Sequence, residues 1–180
     1  MTRILALAAA GAMLLAGTAA AQPATKLGAL TITAPWVRPT PPGAPTAAGY
    51  LTVANAGATT DRLVGATTPA AASVEVHQMS MTGGIMKMRP VRGGLVIPPG
   101  KAATLAPGGY HLMLIGPKHR LVAGQSVIIT LIFRHAGKVD VRFPVANGAD
   151  AKAGAAAPMG GMAMGATPGI AGTPAKTAKP

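Results

Sequence analysis

Residues 76–88 read VHQMSMTGGIMKM, which places one His and four of the chain's ten Met within thirteen positions. A thioether is a soft, neutral donor that binds Cu(I) well and Zn²⁺ or Mg²⁺ poorly. Imidazole suits several metals, provided the ligating nitrogen is deprotonated. The Gly83-Gly84 pair tolerates positive φ at both central positions of a two-residue hairpin turn, which would set Thr82 against Ile85, Met81 against Met86 and Met79 against Met88. Side chains alternate along a strand, so His77, Met79 and Met81 share one face and the pairing adds Met86 and Met88 to it. His77 then lies diagonal to Met88, within reach for long side chains. A helix would also gather His77, Met81 and Met88, but two Gly in its middle would cost about 2 kcal/mol.

The same parity recurs in GGYHLMLIG, residues 108–116, where His111 and Met113 point to one face and Tyr110, Leu112 and Leu114 to the other. Brought beside the hairpin, this His-x-Met strand would supply a second imidazole and a further thioether. His and Met together, without Cys or carboxylate, favour Cu(I). The chain has no Cys, which excludes the His₂Cys centre of a blue-copper electron carrier and leaves a site suited to holding and passing the ion. Met88 and Met113 are the thioether candidates. Met79 is a third thioether or a wall of the site, and Met81 and Met86, nearest the turn, either capture copper first or do nothing. Packing alone is the competing reading of the cluster, because Met is an ordinary core filler. His119 and His135 sit in turn-like sequence and are expected to be solvated, and Trp36 is expected in the core or at its rim.

These residues need strands to hold them. Between Leu27 and Val145 the chain is a succession of short apolar segments divided by Gly, Pro, Asn and Asp, the pattern of an all-β sandwich or barrel. Ten strands are expected: LGALTITAPWVR, AAGYLTVAN, DRLVGAT, ASVEVHQMSM, IMKMRPV, GLVI, AATL, GYHLMLIG, SVIITLIFR and KVDVRFPV. In the last, Val139, Val141, Phe143 and Val145 alternate with Lys138, Asp140, Arg142 and Pro144, so one face is buried and the other wet. The turn HAGK joins it to its predecessor as a hairpin. PTPPGAP, residues 39–45, is a stiff loop that cannot donate ladder hydrogen bonds.

Outside this domain, expected over 22–145, lie two segments of different composition. Residues 1–21 have the layout of a cleavable signal peptide, with Arg3 ahead of an apolar run and Ala19-Ala20-Ala21 before Gln22. An uncleaved anchor is the alternative, since the run reaches about membrane length if every Ala is counted. Residues 146–180 are Ala, Gly, Pro and Lys without β-branched alternation. They cannot bury enough apolar surface to offset the roughly 1–2 kcal/mol per residue that ordering costs, so a disordered tail is expected. Its Met159, Met162 and Met164 are weak candidates for extra copper. The chain's net charge of +12 falls to +11 without Arg3. The cations are scattered singly among five aromatics, which disfavours a nucleic-acid groove and fits a solvated basic surface, with steering toward an acidic partner or anionic membrane as the alternative. An enzyme is not expected: Asp61, Glu75, Asp140 and Asp150 do not suggest a catalytic pair, and G-x-S-x-G, H-E-x-x-H and P-loop motifs are missing.

The stretches APWVRPTPPGAPTAAGYLTVANAG, DRLVGATTPAAASVEVHQMSMTGGIMKMRPV and PGGYHLMLIG resemble the PCu(A)C family of periplasmic copper chaperones, over about residues 28–145. The family's ligand pattern is a His, a Met eleven positions on, and then His-x-Met, which falls on His77, Met88, His111 and Met113. The second gap is one residue longer than the family's form, and the loop around PPGKAATLAPGG can absorb the insertion. The resemblance implies a cupredoxin-like Greek-key β-sandwich without a blue-copper centre. It also implies carriage of Cu(I) in the periplasm and delivery to the copper centre of cytochrome c oxidase, alongside a Sco-type thiol protein. Copper sequestration without a dedicated recipient and a metal-free scaffolding sandwich are the alternatives, and a monomer is expected.

Overall fold

A computed structural model describes residues 23–148. The leader expected over 1–21 and the tail from 149 onward, with Met159, Met162 and Met164, lie outside the described residues.

Eleven strands form: β1 (Thr25–Leu27), β2 (Leu30–Val37), β3 (Thr46–Asn55), β4 (Asp61–Thr67), β5 (Ala71–Thr82), β6 (Ile85–Pro90), β7 (Leu95–Ile97), β8 (Ala102–Leu105), β9 (Tyr110–Pro117), β10 (Ser126–Phe133) and β11 (Lys138–Pro144). The first expected strand, residues 27–38, begins as β2 only at Leu30, and a short β1 precedes it. Gly28 takes φ +57° and closes a tight hairpin that sets Leu27 against Leu30. The strands run in the order β1-β2-β3-β8-β9-β5-β4-β10-β11, with β6 on β5 and β7 on β4. The order is not the chain order, so long connections cross between layers as in a Greek key. The sheet folds over until its ends meet: Val37 bridges Val145 in parallel, and Ala146 N–H donates to Val37 O at 3.0 Å.

Alternation decides what lies inside. Val141, Phe143 and Val145 are buried while Lys138, Asp140 and Arg142 are exposed, as their period of two requires. Leu112 and Leu114 of β9, Val74 and Val76 of β5, and Leu51 and Val53 of β3 face the same interior. From Val74 onward the odd-numbered residues of β5, and those of β9, therefore lie on the face away from the core, whereas Ala71 at the start of β5 is itself in the core. Beside the core Trp36 stacks on Tyr50 with ring centroids 4.4 Å apart.

Asp61 at the start of β4 is a structural carboxylate. It is 5% exposed and accepts backbone N–H bonds from Arg62 (2.7 Å), His135 (3.0 Å) and Ala136 (2.9 Å), tying β4 to the β10–β11 turn. Burial alone would raise its pKa, but these three donors outweigh it and hold the carboxyl below the usual range. Its contribution to stability is thus full above the unfolded carboxylate value of about 3.9 and is lost as pH falls through the lower folded value. Asp61→Ala should cost at least about 2 kcal/mol, since each buried donor left unpaired costs roughly 1–3 kcal/mol. Urea unfolding at neutral pH measures this, and a variant as stable as the parent would remove Asp61 from that role.

Candidate metal site

The site is built on the face of β5, β6 and β9 that points away from the core. Gly83 and Gly84 take φ +60° and +77°, the geometry a two-residue hairpin turn with positive φ at both positions needs. The turn pins the register, so Met79 faces Met88 and Met81 faces Met86, while His77 faces Pro90. On its other edge β5 pairs with β9, and there His77 faces His111 directly while Glu75 faces Met113. Two strands thirty residues apart in sequence thus set two imidazoles side by side, with ring centroids 5.9 Å apart. Paired residues share a face, so Glu75, His77, Met79, Met88, His111 and Met113 all lie on one surface.

A cavity of about 300 Å³ opens there. His111, Met79, Met88 and Met113 line it from the sheet, Ala48 and Tyr50 continue its floor on β3, and the 38–41 segment forms its opposite wall. The stiff proline loop therefore has a place in the site, since Pro39 and Pro41 line the same cavity as the thioethers. Arg120 Nε donates to Thr40 O at 3.1 Å, and the Thr40 hydroxyl accepts from Leu121 N at 3.0 Å, which holds that loop down. A larger apolar hollow of about 650 Å³ beside Trp36 is lined by no ionisable or thioether side chain.

Exposure grades the sulfur candidates. Met79 and Met113 are half-buried, Met88 is 47% exposed, and Met86 and Met81 are 53% and 69% exposed toward the turn. Packing therefore does not account for the whole cluster, because Met81 and Met86 fill no core. His119 and His135 are exposed, and neither lines this cavity.

The histidines are held differently. His111 is 5% exposed, and its Nδ1 lies 3.3 Å from Gly109 O. Burial pushes its pKa below the ordinary imidazole value; the Gly109 carbonyl opposes this and the neighbouring His77 adds to it. The His77 Nε2 lies 2.8 Å from Glu75 Oε2, while its Nδ1 is buried with no hydrogen-bond partner. A buried polar atom left unpaired costs about 1–3 kcal/mol, so it marks a place where an absent partner belongs. Among the described residues no three His, Cys, Asp or Glu side chains converge as a metal centre, so a cation held here needs the thioethers. One imidazole, His111, and three thioethers line the cavity, and His77 stands beside His111 on the adjacent strand outside that lining; together they form a donor set for a soft monovalent ion.

Glu75 is the residue that sequence reasoning missed. It was weighed only as a catalytic acid, although its position two residues before His77 puts it on the ligand face by the same alternation that placed Met79.

The sequence profile of the family described as "Putative lipoprotein LpqE-like" matches residues 30–145. "Putative lipoprotein Lxx21020" of Leifsonia xyli subsp. xyli (strain CTCB07) is 38% identical over 110 residues, which are 61% of this chain and 65% of that protein, so the chain spans just under two thirds of that relative. Among solved structures, the apo PCuAC domain from PmoF1 is 28% identical, with a TM-score of 0.59 over 68% of this chain and 98% of that one. The copper-bound PCuAC domain from PmoF2 is 27% identical, with a TM-score of 0.60 over 69% of this chain and 97% of that one. Well over half of the sequence is matched by the family profile, and the chain belongs to the LpqE-like family, with a β-sandwich of the cupredoxin-like PCuAC type.

Proposed function

We propose that this protein is an exported, non-catalytic copper chaperone that carries Cu(I) on His77, His111, Met88 and Met113 and gives it to an acceptor. The observation that carries this reading is the direct pairing of His77 with His111 on the face where Met79, Met88 and Met113 line one cavity. The copper-bound state of the PmoF2 domain supports copper as the cargo, and the absence of thiolate and the excess of thioether support Cu(I) over Cu(II) or Zn²⁺. Titration of the protein with Cu(I) against a competing chelator tests it. One tightly held equivalent is expected, and no uptake would overturn it.

We place the protein in the periplasm, with the copper centre of cytochrome c oxidase as the acceptor and a Sco-type thiol protein as a companion. A half-exposed Met88 at the mouth of the site suits this, because a ligand that reaches solvent can be exchanged for an acceptor's ligand without unfolding the donor. Deleting the gene should lower oxidase activity at low copper, and added copper should restore it. Sensitivity to high copper alone would instead support storage, the reading that the extra exposed sulfurs Met81 and Met86 favour.

Those two sulfurs allow a separate check. Replacing both Met81 and Met86 with Leu should leave the affinity for the first Cu(I) within about threefold, because their pair lies two residue pairs beyond Met79 and Met88 toward the turn. A large loss in that titration would move the site to the hairpin tip.

A further inference from the structure

Resting on the reading that His77 and His111 hold Cu(I), we propose that Glu75 is a positioning residue that fixes the tautomer of His77, so that the two histidines present opposite nitrogens to the ion: Nδ1 from His77 and Nε2 from His111. The argument follows from what each ring touches. An ionised carboxylate only accepts hydrogen bonds, so the 2.8 Å contact between His77 Nε2 and Glu75 Oε2 puts the ring proton on Nε2. In the neutral ring the lone pair is then on Nδ1, the atom that is buried without a partner. A backbone carbonyl also only accepts, so the contact of His111 Nδ1 with Gly109 O puts that ring's proton on Nδ1 and its lone pair on Nε2. Nε2 of His111 makes no other hydrogen bond among the described residues. Each imidazole therefore has one nitrogen tied to an oxygen and the other free, which is how metal-ligating histidines are usually oriented.

The strand explains why Glu75 can act in this way. It stands two residues before His77 on the same face, opposite Met113, so its carboxylate reaches the edge of the ring from within the same strand. Its side chain is 49% exposed, against 12% for His77, so the carboxylate stays hydrated while the ring it holds is mostly covered. The acceptor-side negative charge makes the Nδ1 lone pair a better donor to a cation.

Long-range ¹H–¹⁵N correlation spectra of the ¹⁵N-labelled full chain at about pH 8, where a free imidazole is neutral, read the tautomers directly. The copper-free protein should show His77 with a protonated Nε2 and an unprotonated Nδ1, and His111 with the reverse. One equivalent of Cu(I) should shift Nδ1 of His77 and Nε2 of His111. Glu75→Ala should leave His77 as a mixture of tautomers and weaken Cu(I) binding about 10- to 100-fold, the range expected when an outer partner of a ligand is removed. Glu75→Gln, whose amide oxygen still accepts from Nε2, should restore the tautomer and most of the affinity. The proposal is overturned if wild-type His77 is protonated on Nδ1, if Cu(I) shifts its Nε2 instead, or if Glu75→Ala changes neither tautomer nor affinity. A titration in which Cu(I) shifts none of the four ring nitrogens overturns the copper-site reading instead, and the copper-free tautomers still judge Glu75.

Discussion

Replacing Met88 and Met113 together with Leu should lower Cu(I) affinity by more than about 100-fold while leaving the fold intact, a loss beyond the 10- to 100-fold typical of an outer-shell partner. Leu conserves volume, and such swaps usually cost under about 1.5 kcal/mol even in a core. Here the cost is smaller, because Met88 is 47% exposed and Met113 only half-buried. What the substitution removes is chemistry: the thioether is the only soft donor in a chain without Cys. The two single variants should differ. Met79 stands directly opposite Met88 and lines the same cavity, so its sulfur can partly replace that of Met88. Met113 faces Glu75 on one side and Ala48 on the other, neither of which offers a thioether. Met113→Leu should therefore cost more than Met88→Leu, and adding Met79→Leu should deepen the Met88 loss more than additively. Chelator competition on the parent, the three single variants and the two double variants measures all of this, and unchanged affinity in the Met88 and Met113 double variant would remove those two sulfurs from the site.

Much of this architecture could be read from local pattern. The bounds of β4 and β8 coincide with the expected DRLVGAT and AATL, because each is an apolar segment bracketed by turn residues. The Met hairpin was legible to the residue, since Gly83-Gly84 sets the turn and the turn sets every pair after it. The separate β1 was not. Thr25–Leu27 is too short to alternate, and the hairpin at Gly28 depends on one positive φ that residue type alone does not reveal. What pattern could not supply was adjacency. That β9 lies against β5 with His111 facing His77 is a pairing across more than thirty residues, decided by which faces the whole sheet must bury. The place of the 39–41 loop at the cavity has the same origin: PTPP signals stiffness, but its docking depends on Thr40 meeting Arg120 and Leu121, eighty residues away. Glu75 is a different case. Its parity with His77 was visible, but a carboxylate beside soft donors looks irrelevant until its contact with the ring is seen.

Acid should release the cargo, and the sign follows from the histidines, because thioethers do not titrate. A ligating imidazole must shed its proton, so each histidine that is protonated in the copper-free protein costs about tenfold in affinity per pH unit below its pKa. His111 is pushed below the ordinary value of about 6.5 by burial, so it stays ready to bind at a pH where a free imidazole is already charged. The two-proton limb, about 100-fold per unit, therefore begins only below about pH 6.5, and above it the dependence is at most about tenfold per unit. The same shift acts on stability. With a folded value below the unfolded one, His111 binds more protons when unfolded, so its contribution is full above about pH 6.5 and is lost as pH falls toward the folded value. The copper-free protein should thus weaken over the same range in which it loses affinity. Bound Cu(I) should offset this loss only while affinity holds, because ligand stabilisation scales with the logarithm of concentration over Kd. Chelator competition from about pH 8 to about pH 4 reads the affinity, and an affinity flat over that span, well past the imidazole range, would remove both histidines from the site. His111→Gln should abolish the steeper limb and leave a slope no greater than one proton, because the second imidazole would then be gone.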